Sequence, residues 1–140
     1  MELSEKFKRT LESLTLAIQS FGKSLETDFS GLDSFGMDLI KNGRIQKFEY
    51  CTELAWQVGK VFVELHLGAI SNTPTEVYRS MFREHLIDED LFLALHKGID
   101  DRNQLSHIYR EEMYELIYSD LPDHLAALRS LLTILAGTEA

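Results

Sequence analysis

Residues 3–27 read LSEKFKRTLESLTLAIQSFGKSLET, and within them Leu3, Phe7, Leu11, Leu14, Ile18, Phe21 and Leu25 recur every three or four positions. That interval matches a helix of about 3.6 residues per turn, so the run carries one apolar stripe and predicts a long amphipathic helix. Residues 28–35, with Asp28, Ser30, Gly31 and Asp33, read as a loop. The same helical period returns at Ile45, Phe48, Ala55, Phe62 and Leu65, closing at Gly68 to Pro74. Thr73-Pro74 followed by Glu76 has the composition of a helix start and predicts a short third helix. Ile87-Asp88-Glu89-Asp90 opens a fourth, because acids suit the positive end of a helix. It runs through Leu91, Leu95 and Ile99 to near Ser106. A last helical stretch is expected from about Arg110 to Leu135, with an interruption between Ser119 and Pro122 where Pro122 would take a fresh N1 position. No β-branched run alternates over a useful length. The expectation is an all-α, antiparallel up-and-down bundle of four to five helices, organised as one domain over residues 1–140.

Bulk properties narrow the function. The 140 residues are 44% hydrophobic and 26% charged, ordinary for a soluble globular chain of one-domain size. Cys51 is the only cysteine, so no internal disulfide forms, which fits a reducing compartment. The first residues carry acids and lack the apolar core of a signal peptide, and no run reaches the roughly 20 apolar residues that span a bilayer. A cytoplasmic location without membrane contact is therefore expected. The net charge of −9 argues against a non-specific grip on nucleic acid. A small basic island (Lys41, Arg44, Lys47 and Lys60) interrupts the acidic surface, whereas the stretch after Glu111 is acidic apart from Arg129. A phosphate-bearing partner would have to meet a local patch.

Chemistry is concentrated in Asp101-Arg102-Asn103-Gln104-Leu105-Ser106-His107-Ile108-Tyr109. On a continuous helix Arg102, Ser106 and Tyr109 share one stripe, and Asn103, His107 and Arg110 share the next. Arg102 and His107 are then about 140° apart and cannot address one atom. They converge only if the helix ends between them or if a symmetric dimer brings two copies together. An Arg–His pair at this spacing is uninformative alone and reads more readily as an exposed helix end with cations near its negative pole and a satisfied histidine. A second stripe, Glu49, Glu53, Trp56 and Lys60, reads as an interface or a polar seam between helices. Two carboxylates without a facing histidine make a poor metal site, and His66, His85, His96 and His124 suggest no ligand set. Cys51 reads as packing. No glycine-rich phosphate loop or nucleophile elbow is present, so neither metal nor cofactor is expected.

Four blocks together resemble one family over nearly the whole chain. They are Ile45-Gln46-Lys47-Phe48-Glu49-Tyr50 with Glu53-Leu54-Ala55-Trp56; Pro74-Thr75-Glu76-Val77-Tyr78-Arg79; Leu86-Ile87-Asp88; and Asp100-Asp101-Arg102-Asn103 with Ser106-His107-Ile108-Tyr109. The family is the nucleotidyltransferase substrate-binding subunits of the HEPN superfamily, which include the HepT toxins. Departures are Thr75 for a usual arginine, Gln57 for a common lysine, and Leu105 for an expected small polar residue. The first two remove positive charge.

The resemblance implies a homodimer that partners a cognate minimal nucleotidyltransferase, and it implies two possible jobs. In the leading expectation the chain is a toxin that cleaves RNA without a metal at a dimer cleft. Arg102 would hold the phosphate, His107 would move the proton, and Asn103 would orient the histidine. Tyr109 would accept AMP from the partner enzyme, which would silence the site by charge and bulk. In the alternative the chain binds substrate, or serves as an adaptor, without cleavage; the charge of −9 and the missing cations at 57 and 75 favour it. Asp101, Ser106, Glu49, Glu53 and Trp56 are expected at an interface or binding surface.

Overall fold

The computed structural model describes residues 2–107 and 110–137, and within them the only regular structure is helical. Helix α1 spans Leu3–Glu26 and buries Phe7, Leu11, Leu14, Ile18 and Phe21, the stripe that its periodicity predicts. Helix α2 spans Ser34–Leu67 and, at 34 residues, is about 50 Å long. Asp33 Oδ1 accepts a hydrogen bond from the Gly36 amide at 2.8 Å, so the expected loop yields to helix slightly before Phe35. At the far end Gly68 takes φ 69°, a left-handed conformation that closes the helix and that glycine adopts without a Cβ penalty.

Helix α3, Pro74–Arg83, starts as its sequence predicts: Thr73 Oγ1 accepts from the Glu76 amide at 3.2 Å. The Glu76 carboxylate reaches back to the Asn72 amide at 2.7 Å. The helix ends in a Schellman turn, with the Leu86 amide bonded to Met81 O at 2.9 Å and the His85 amide to Phe82 O at 3.0 Å. His85 occupies the left-handed position, φ 60°, where glycine is usual. Helix α4, Glu89–Leu105, is capped by Asp88, whose Oδ1 accepts from the Leu91 amide at 2.8 Å.

The last helical stretch is interrupted where expected, giving α5 (Glu111–Ser119) and α6 (Leu121–Gly137). Pro122 has no N–H, and its ring would collide with the Tyr118 carbonyl if the turn continued, so the chain breaks at Asp120. Pro122 is the second residue of α6, not the first. The described residues therefore contain six helical segments against the four or five expected.

Helix α2 is the centre, packing on α1, α3, α4 and α6. One apolar cluster draws on every helix, including Phe21, Phe48, Phe62, Met81, Ile99, Ile117 and Leu131. Gly59 lets α3 approach, because a Cβ there would lie 2.8 Å from Val77 Cγ1. Among the described residues, no helix is long and apolar enough to cross a membrane.

Candidate functional site at the end of the fourth helix

Helix α4 ends at Leu105, between Arg102 and His107. Ser106 and His107 continue as a tighter turn, their amides bonding to Asn103 O and Gln104 O at 3.2 and 3.0 Å. The strict 140° separation of a continuous helix is thereby relaxed, and Asn103, Ser106 and His107 are all exposed. Their side chains make no mutual hydrogen bond among the described residues. Tyr109 lies outside the described residues.

Arg102 is already occupied. Its Nη2 sits 2.8 Å from Glu53 Oε2, with both side chains about one-third exposed. Glu53 is itself braced from its own helix: Trp56 Nε1 donates to Oε2 at 3.1 Å and Gln57 Nε2 donates to Oε1 at 2.9 Å. Glu53, Trp56 and Arg102 thus form a polar seam joining α2 to α4. Glu49 lies one turn earlier on α2, half-buried. Burial pushes its carboxyl above the ordinary range, and the nearby Arg102 charge only partly opposes this.

Asp101 faces the other way, into the protein. Its Oδ2 accepts from His124 Nε2 at 2.7 Å and from Lys97 Nζ at 2.9 Å. Lys97 Nζ also reaches Asp120 Oδ2 at 2.9 Å. The His124 ring is buried and stacks on Phe48 with centroids 4.7 Å apart. This network ties the end of α4 to the α5–α6 junction and fixes the direction in which Arg102 leaves the helix. Sequence reading did not connect His124 with Asp101. The available signal was a histidine in register with Leu121, Leu125 and Leu128, where a buried ring needs a polar partner.

The basic island is largely consumed by the fold. Arg44 donates to Ser24 O at 2.8 Å, Thr27 O at 3.1 Å and Tyr118 Oη at 2.7 Å. Lys47 Nζ donates to Ser20 Oγ at 2.6 Å, and Lys41 pairs with Glu115 while lying 4.9 Å from the Tyr118 ring centre. No group of three metal-ligating side chains converges among the described residues. Cys51 is buried, and desolvation pushes its thiol up to about 12, so it stays protonated.

A small cavity of about 120 Å³ adjoins the seam, between α2, the last residue of α4 and α5. Ile45, Glu49, Leu105, Met113, Tyr114 and Ile117 line it. The Tyr114 hydroxyl donates to Asn42 Oδ1 at 2.7 Å.

The all-helical fold that carries this seam is shared with several solved structures. The family model described as "Nucleotidyltransferase substrate binding protein like" matches residues 8–136, and the chain belongs to that family. A Haemophilus influenzae protein, described as revealing the fold of a substrate binding domain of a nucleotidyltransferase, is similar at 26% identity. The match covers 90% of this chain and 98% of that one, with TM-score 0.73. A chain from the complex of a tri-AMPylated Shewanella oneidensis HEPN toxin with MNT antitoxin is similar at 14% identity, covering 94% and 96%, with TM-score 0.74. A Thermus thermophilus protein is similar at 22% identity, covering 92% and 98%, with TM-score 0.68. Among curated proteins none matches the sequence.

Proposed function

We propose that the chain is the non-catalytic substrate-binding or adaptor subunit of a two-component nucleotidyltransferase. The observation that carries this reading is the Arg102–Glu53 pair. A carboxylate braced by two donors holds this arginine at the surface, where its chain partner is part-exposed. A part-exposed pair of this kind contributes only about 0–1 kcal/mol. A substrate phosphate can therefore exchange with Glu53, which suits reversible binding. Extended RNA would need more cations, and Arg44, Lys41 and Lys47 are engaged elsewhere. The family description and that of the Haemophilus influenzae relative, both of which speak of substrate binding, support this reading.

A second reading, metal-independent endoribonuclease activity, is favoured by the end of α4 at Leu105, which leaves His107 exposed in the turn beyond. In it two copies would form the cleft, Arg102 would hold the phosphate, His107 would transfer the proton, Asn103 would orient it, and Tyr109 would take AMP. RNA incubated with the protein at pH 7 in excess chelator separates the readings. The adaptor reading expects no cleavage that depends on His107; cleavage lost in His107→Ala overturns it. With the partner enzyme and ATP, an AMP-sized mass gain on wild type but not on Tyr109→Phe would support the toxin reading. Sedimentation at the 16.1 kDa of one chain would remove the dimer cleft that the toxin reading needs.

A further inference from the structure

The cavity beside the seam has a definite chemistry. Five of its six lining residues offer apolar or aromatic surface: Ile45, Leu105, Met113, Tyr114 and Ile117. The sixth, Glu49, is a half-buried carboxylate with no hydrogen-bond donor from the chain among the described residues, although it lies within reach of the Arg102 charge. A carboxylate at the edge of an apolar cavity is partly shielded from water and receives no donor from the described residues, and a pocket with such a group is a candidate ligand site. Leu105 lies one turn beyond Arg102, and Glu49 lies one turn before Glu53, so the cavity and the phosphate-exchangeable pair are neighbours along two helices at once.

We propose that this cavity takes a guanine base, with Glu49 accepting hydrogen bonds from its N1–H and N2–H₂ while Arg102 receives the phosphate of the same nucleotide. The inference deepens the substrate-binding reading and rests on it for the role of Arg102. The base assignment follows from donor counting. An ionised carboxylate only accepts, and guanine presents two adjacent donors on its Watson–Crick edge. Adenine presents one donor beside the N1 acceptor, which would face the carboxylate lone pairs. Apolar side chains with one aromatic ring, Tyr114, suit the faces of a base, as in other sites that hold an unstacked nucleotide. The cavity volume is of the order of one base, not of a folded RNA element. An organic cation would also satisfy Glu49, but Arg102 close by disfavours a second positive charge.

The full chain titrated calorimetrically with GMP, IMP, AMP and inorganic phosphate tests this. GMP is expected to bind more tightly than AMP by at least about tenfold, and IMP, which lacks the N2 amino group, to be weaker than GMP by about tenfold, the usual cost of one hydrogen bond to a charged group. Glu49→Gln is expected to abolish the preference for GMP while leaving phosphate binding intact. Arg102→Ala is expected to weaken all three nucleotides alike. A short single-stranded RNA with one guanosine, compared with the same strand carrying inosine, tells a guanosine within RNA from the free nucleotide as the natural source. Equal binding of GMP and AMP, or GMP preference surviving in Glu49→Gln, overturns the base assignment; if Arg102→Ala still loses phosphate binding, the substrate-binding reading stands without it. Absence of binding by every ligand overturns both.

Discussion

Asp101 and Arg102 are adjacent in sequence and do opposite things. The Asp101 carboxylate is turned inward onto His124 and Lys97, so that its neighbour is held at the surface facing Glu53. Asp101→Ala would strand a buried imidazole without its partner, and a loss of about 2–3 kcal/mol in urea unfolding is expected. The same assay on Glu53→Ala should give a loss below about 1 kcal/mol, because that pair is part-exposed. Glu49 gives a pH signature. Its folded-state pKa is raised, so the native chain holds the proton more tightly than the unfolded chain and stability falls as pH rises through that range. Glu49→Gln removes the cost of the ionised group: the melting temperature should rise at pH 7, and the gain should vanish well below the unperturbed value of 4.5. A melting temperature lowered at pH 7 would contradict the desolvated carboxylate.

At the scale of elements, starts and stops were the most legible feature of the sequence. Thr73-Pro74 with Glu76, and Asp88 before α4, cap as their residue types require, because an N-cap depends on side chains only three positions away. Asp88→Ala should cost about 1 kcal/mol and loosen the helix that carries Arg102, measurable by urea unfolding and by amide exchange. The end of α3 was not legible in this way: His85 holds a left-handed position usually given to glycine, so no residue there announces the turn. His85→Gly should relieve that strain and stabilise the chain by up to about 1 kcal/mol. The split of the last helix was half visible, since Pro122 marks a break without fixing whether the new helix begins at 121 or 122. The Asp101–His124 bond was invisible to local reading, because the two residues are brought together only by the packing of α4 on α6.

At the scale of the molecule, charge and topology agree. The net charge of −9 goes with a basic island of which three cations, Lys41, Arg44 and Lys47, tie α1 and α5 to α2. Scrambled RNA should consequently bind more weakly than a Kd of about 10⁻⁴ M at physiological salt. Arg102 with its exchangeable partner, the small adjoining cavity and the exposed turn at Ser106 and His107 lie together at one end of α4. That suits a subunit that holds a small phosphate-bearing group for another protein's chemistry. The proposed adaptor role is tested most directly by sedimentation of an equimolar mixture with the nucleotidyltransferase proposed as its partner. One species heavier than either component alone is expected, and two species sedimenting independently would contradict it.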